Sequence, residues 1–285
     1  QTRHHLGDLI STISEVKRAL LDSSKLKQIA KENVEFLNNA NKDMAKIFST
    51  FTSMPKKLDE AIKYFEKTAL LLSNNLPKQS VKHGFGTLAE TALRDLTSSL
   101  ETAREDNKTT PLTKWKNRWL AKNSDNQFIL AGELQNKRLE ALADVLDRYQ
   151  IALEKLGLYD FDDMITRSIE ALQTNKNFKY SLQEQYQYLL LDEFQDTNAA
   201  QFKLVTLLTD NPVNENRPNV MAVGDDDQAI YAFQGAHYSN MLDFFKQYRD
   251  VAVINLTHNY RSHSDILHTA HNISEQIKSR LHHTF

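Results

Sequence analysis

The sequence predicts a helix-rich α/β protein, in which a three-stranded parallel sheet covered by helices is joined to a large all-helical segment. The first observation behind this is a set of three short apolar runs, at 188–191, 220–223 and 251–256, each ending in polar or acidic residues. Runs of that length bounded by charge suit strands buried on both faces. The chain between them leaves room for the helices that right-handed parallel crossovers need. Second, upstream of Gly157 the apolar residues recur at helical spacing. Third, seven glycines and five prolines in 285 residues make turn-formers scarce, so long helices are expected.

In chain order, Leu9, Ile13, Val16 and Leu20 mark a first helix, and Asp22-Ser23-Ser24 interrupts it with capping residues. A second helix spans about 25–51, with Ile29, Val34, Leu37, Met44 and Ile47 on its stripe. Pro55 opens a third, which Asn74-Asn75-Leu76-Pro77 closes. His83-Gly84-Phe85-Gly86 reads as a turn, having neither a strand before it nor Lys-Ser/Thr after it. A fourth helix covers about 87–104 and a long one about 127–156, stopped by Gly157. Asp160 is placed to cap the helix that begins with Phe161-Asp162-Asp163. An apolar helix at 199–208 follows the first strand, one at 238–248 precedes the third, and Ser262 opens a closing helix at 265–281.

Composition narrows the function. The chain is 40% hydrophobic and 25% charged, ordinary for a soluble globular protein. Its net charge of -2 provides no global basic field, so any contact with nucleic acid has to come from local patches or stacking. With no cysteine, disulfides and thiolate metal sites are excluded. No apolar stretch has transmembrane length and the start has no signal-peptide pattern, which makes a cytoplasmic protein the expectation.

Chemistry concentrates at the ends of the apolar runs, where ligands of parallel sheets bind. Leu191 is followed by Asp192 and Glu193, Val223 by Gly224 and Asp225-Asp226-Asp227-Gln228, and Leu256 by Thr257-His258-Asn259-Tyr260-Arg261. Adjacent carboxylates can divide one job, the first holding a divalent metal and the second deprotonating a water. Their other reading is a solvated acidic turn, with Asp196-Thr197-Asn198 capping the next helix. Together, a metal-holding acid, a polar amide, an aromatic ring and an arginine make up the kit of a nucleoside triphosphate site.

One segment is basic and aromatic, Thr110 to Lys122. On a helix Trp115 and Trp119 share a face, and Lys114, Arg118 and Lys122 share the next. Two readings are open: a nucleic-acid contact with phosphates on the basic row and bases on an indole, or two core tryptophans with solvated neighbours.

LLLDEFQDTN, VGDDDQAIYAFQGA and LTHNYRS resemble, in order and spacing, three consecutive motifs of the UvrD/Rep-type superfamily 1 DNA helicases, and Asp160-Phe161-Asp162-Asp163 resembles the element that precedes them. The resemblance runs from about Gly157 to Ala270. It implies a partial RecA-like ATP-binding domain at 158–285 and a helical insertion at 1–157. It further implies that Asp192 and Glu193 hold Mg2+ and activate the hydrolytic water, and that Gln228 senses the γ-phosphate of ATP. By the same resemblance Arg261 pairs with that phosphate, Tyr260 stacks on the adenine, and Tyr231 and Phe233 stack on bases of single-stranded DNA. Where the family often has Arg-Trp-Arg, this chain has Ala232-Phe233-Gln234, which implies weaker coupling between ATP and DNA.

No Gly-x-x-x-x-Gly-Lys-Ser/Thr occurs in the chain, which starts at Gln1. The expectation is therefore a segment of a longer 3′-to-5′ helicase acting on single-stranded and duplex DNA, inactive as an ATPase by itself. It would be completed by a phosphate-loop segment and a second RecA-like domain. The alternatives are the motor part of a helicase-nuclease and a non-catalytic helical binding module with a degenerate nucleotide fold.

Overall fold

A computed structural model describes residues 4–76, 87–215, 217–228 and 239–275. The chain divides into two compact units, Leu21–Gly157 and the pair of segments Gln1–Leu20 and Leu158–Phe285.

The Leu21–Gly157 unit is mainly helical. Helix α2 (Ser23–Ile47) starts where Asp22 accepts a hydrogen bond from the Lys25 N–H, 2.8 Å. Helix α3 (Leu58–Asn74) follows, beginning three residues after Pro55. Helix α4 (Leu88–Glu105) opens with a reciprocal capping box: Thr87 Oγ1 accepts from Glu90 N (3.1 Å) and Glu90 Oε2 accepts from Thr87 N (2.7 Å). Helix α5 (Thr110–Trp119) carries Pro111 in its first turn, where the missing N–H costs nothing. Helix α6 (Glu133–Leu156) ends at Gly157, whose φ of +65° is the left-handed stop that glycine adopts readily. The core gathers Phe36, Met44, Phe48, Phe65, Leu72, Leu96, Leu112 and Trp115. The Trp115 ring meets Phe65 edge-on at 5.8 Å.

Between α5 and α6 the chain departs from the helical expectation. Strands β1 (Leu120–Lys122) and β2 (Phe128–Leu130) form an antiparallel hairpin pairing Leu120 with Leu130 and Lys122 with Phe128. Asn123 Oδ1 closes the turn by accepting from Asp125 N (3.0 Å) and Gln127 N (2.9 Å). Asn126 takes the left-handed conformation there (φ 59°). The helix expected from 127 thus begins at Glu133, because Phe128-Ile129-Leu130 is a strand-like apolar run and the 3.6-residue period starts only after it. Lys122 lies on this strand and not on the helical row with Lys114 and Arg118.

In the other unit, helix α1 (His4–Arg18) packs on helix α7 (Phe161–Thr174), although the sequence grouped it with the N-terminal helices. The reason is ionic. Buried Lys17 reaches Asp160 Oδ2 (2.6 Å) and Asp163 Oδ1 (2.8 Å), Arg18 reaches Asp162 Oδ1 (2.9 Å), and Ser14 donates to Asp162 Oδ2. Asp160 and Asp163 also form the capping box of α7. Helix α8 (Lys176–Gln185) then leads to strand β3 (Leu189–Leu191). Helix α9 (Ala199–Thr209), capped reciprocally by Asn198 and Gln201, leads towards strand β4 (Val220–Ala222). Strands β3 and β4 are parallel, with Leu189 against Val220 and Leu191 against Ala222. Under them Phe194, Phe244 and Tyr248 form a small core with Leu191, Phe202, Val220, Ala222 and Val251.

Among the described residues the parallel sheet has two strands where three were expected. Residues 251–256 form no strand, and Ile254 and Leu256 are 80% and 85% exposed. β propensity expresses fit to a pleated, half-buried surface, and beyond Val251 this segment lies on none. Nor are the strands covered on both sides, since Leu190 and Met221 are exposed. Helix α10 (Ser239–Gln247) precedes this segment and helix α11 (Ser264–Ser274) follows it. The cap of α11 is His263, whose Nδ1 accepts from Asp265 N at 3.4 Å, in place of the expected Ser262. Residues 83–86, where a turn was expected, and 276–281, expected to continue the closing helix, lie outside the described residues.

Candidate nucleotide-binding site

The acidic end of β3 is built by a backbone kink. Glu193 sits in the left-handed region (φ 48°, ψ 46°), which non-glycine residues seldom occupy and which clusters at functional sites. On either side the chain is anchored: Val223 N donates to Leu191 O (2.8 Å) and Phe194 N donates to Val223 O (2.9 Å). Buried Phe194 packs edge-on against Phe202 and Phe244. Pinned at both ends, the kink leaves Asp192 and Glu193 exposed beyond the strand. Asp192 Oδ1 accepts from Glu193 N at 3.0 Å.

The residue the sequence reading missed is Gln195, only 2% exposed. Its Nε2 donates to Glu193 Oε2 at 2.7 Å, while its Oε1 accepts from the Asp225 N–H at 3.1 Å. It thus joins the end of β3 to the end of β4. Gly224 makes room for it, because a Cβ there would lie 2.6 Å from Gln195 Oε1. Asp225 continues the chain of bonds. Its Oδ1 accepts from Asp227 N (3.0 Å), and its Oδ2 accepts from Gln228 Nε2 (2.8 Å). Glu193, Gln195, Asp225 and Gln228 are therefore linked in series. No spacing rule points to Gln195, since its contacts depend on the left-handed turn just before it.

Other candidates are not joined to this chain. Tyr260 is 94% exposed and lies nearly parallel to His258, 6.3 Å away. Asn259 Oδ1 accepts from the N–H groups of Arg261 and Ser262, both at 2.9 Å, and Arg261 is exposed. Among the described residues no hydrogen bond or ion pair connects Tyr260 or Arg261 to Asp192, Glu193 or Gln228. Tyr231 and Phe233 lie outside the described residues.

In the helical unit the packing alternative describes both tryptophans. Trp115 is 2% exposed and its Nε1 donates to Ala92 O (3.0 Å), while buried Trp119 donates to Asp95 Oδ2 (3.1 Å). A ring buried with its only donor satisfied has no face to offer a base, which corrects the expectation of stacking on Trp115. Lys114 and Arg118 are exposed. Arg118 pairs with Asp95 (3.1 Å) and lies over the Trp119 ring at 5.5 Å.

Among the described residues no three His, Cys, Asp or Glu side chains converge as a metal cage. Mg2+ does not need one, since it is commonly held by one or two carboxylates with water and substrate phosphates. Asp192 fits that donor set: it is exposed, and one of its two oxygens is taken by a backbone N–H.

The family model for the UvrD/REP helicase N-terminal domain matches residues 9–249. The chain is 32% identical over 227 residues to the ATP-dependent DNA helicase Rep of Buchnera aphidicola subsp. Acyrthosiphon pisum, covering 80% of this chain and 33% of that protein. It is 38% identical over 141 residues to the ATP-dependent DNA helicase PcrA of Bacillus subtilis, covering 50% and 18%. With the ATP-dependent DNA helicase UvrD1 of Mycobacterium bovis it shares 39% over 135 residues, covering 47% and 18%. The matches thus span a third or less of each relative's length.

Proposed function

Because this chain belongs to the UvrD/REP helicase N-terminal domain family, we propose that it is part of an ATP-driven 3′-to-5′ DNA helicase that unwinds duplexes in repair or recombination. On this reading residues 158–285 contribute to a RecA-like ATP-binding domain, residues 21–157 are its helical insertion, and the protein works in the cytoplasm. The DNA-helicase names of the relatives support ATP and DNA as its substrates. The observation that carries the site assignment is the hydrogen-bonded series from Glu193 through Gln195 and Asp225 to Gln228.

Asp192, with Glu193 beside it, would hold Mg2+, which when bound would supply positive charge against the triphosphate. Glu193 accepts a proton from water as the water oxygen bonds to the γ-phosphorus and the bond to the bridging oxygen of ADP breaks. Gln228, held by Asp225, contacts the γ-phosphate, so phosphate release is felt at the end of β4. Arg261 pairs with the same phosphate and Tyr260 stacks on the adenine. Tyr231 and Phe233 stack on single-stranded DNA, and Lys114 and Arg118 contact its phosphates. One observation favours the second reading, a non-catalytic helical module: the 285 residues contain no Gly-x-x-x-x-Gly-Lys-Ser/Thr loop. By itself the chain is expected not to turn over ATP.

The test is Glu193→Gln in the full-length protein that carries this chain. Turnover should fall by roughly a hundredfold or more, the scale of losing a general base, with ATP binding kept. Undiminished turnover removes Glu193 from the mechanism.

A further inference from the structure

We propose that Gln195 is a positioning residue for Glu193, a fixed amide strut that aims the carboxylate from a backbone anchor just beyond β4. The inference rests on the site reading above, with Glu193 as the group that takes the proton from water.

Three features make the strut rigid. Gln195 is buried, so water does not compete for its amide. Both ends are engaged, Nε2 by Glu193 Oε2 at 2.7 Å and Oε1 by Asp225 N at 3.1 Å. Its polarity is fixed as well: a flipped amide would set NH2 against N–H and carbonyl oxygen against carboxylate, losing both bonds. Glu193 itself is exposed, so packing does not fix its side chain and the bond from Gln195 is what orients it. The anchor is the backbone of Asp225, whose carboxylate holds Gln228. A shift at Gln228 would therefore reach the Glu193 carboxylate through two side chains and one peptide unit.

The test uses the full-length protein and DNA-stimulated ATP hydrolysis. Gln195→Glu keeps size and shape but replaces the donor with a second acid facing Glu193. At pH 8 its kcat should fall about tenfold to a hundredfold, the scale of a displaced catalytic group, with KM for ATP changed less than about threefold. Relative to wild type, the deficit should shrink as pH drops towards 6, because a protonated carboxyl again donates a hydrogen bond. Gly224→Ala displaces the strut from the far side, since the new Cβ would meet Gln195 Oε1 at 2.6 Å. It should lower kcat without the recovery at low pH. Wild-type kcat in either variant overturns the proposal, as does a Gln195→Glu deficit constant across pH. Loss of folding in both variants assigns Gln195 to the packing of the turn and also overturns it. Glu193→Gln run in parallel separates the two levels: if it is active, the site reading fails; if it is dead while Gln195→Glu is normal, only the strut fails.

Discussion

Tyr248 shows how a single hydroxyl is made to matter. It lies in the core beneath β3 and β4, and its hydroxyl shares a 2.7 Å hydrogen bond with Thr209. Burial pushes its pKa above the ordinary phenol value of 10.0, an effect the bond to Thr209 partly opposes. Since the folded pKa is the higher, the neutral phenol favours folding below about pH 10. That contribution is lost as pH rises through the folded value. Tyr248→Phe should therefore cost about 1 kcal/mol at neutral pH, a typical net hydrogen bond. Its stability should also fall less than that of wild type as pH rises above about 10, as read from denaturant midpoints. Gln195 and Tyr248 share a logic: a polar group in an apolar setting is kept in one arrangement by the cost of leaving it unpaired.

At the scale of elements, the sequence read helices better than strands. Asp160 as a cap, the stop at Gly157 and the helix after Asn198 were legible because each signal is local: Asp160 and Asn198 accept from backbone N–H groups three residues on, and Gly157 takes the left-handed conformation that ends a helix. The β1–β2 hairpin was not foreseen, although Asn123 and Asn126 mark its turn. The joining of α1 to α7 was equally hidden, since Lys17 looks like any solvated lysine at the edge of an amphipathic helix. Its partners lie more than 140 residues away. Lys17→Met should destabilise this unit by about 3 kcal/mol, because buried Asp163 would lose its cation. A thermal or urea melt that leaves the midpoint unchanged would show that the junction depends on apolar packing by Ile13 and Val16 instead.

For the whole molecule, the net charge of -2 sets what DNA binding can look like. With no overall basic field, affinity has to come from a few placed cations and from stacking. If Lys114 and Arg118 touch phosphates, replacing each with alanine in the full-length protein should lower DNA affinity. The slope of log affinity against log salt should shrink by about one per lost contact. Unchanged slopes would leave Arg118 as the partner of Asp95 and Trp119 alone. Among the described residues no helix is long and apolar enough to cross a membrane.

The amino-acid order by itself determined the helix-rich α/β class, most helix ends, and the identity of the acidic and amide groups that follow the apolar runs. These rest on periodicity and on bonds between near neighbours, both of which are written along the chain. Tertiary structure alone decided that residues 251–256 stay out of the sheet, that Trp115 is core, and that Gln195 spans from Glu193 to Asp225. Gln195 and Asp225 are 30 residues apart, and they meet only because the parallel register of Leu191 with Ala222 brings the two strand ends level. A register of that kind is settled by ladder hydrogen bonds and by the packing under the sheet, neither of which any single stretch of sequence contains.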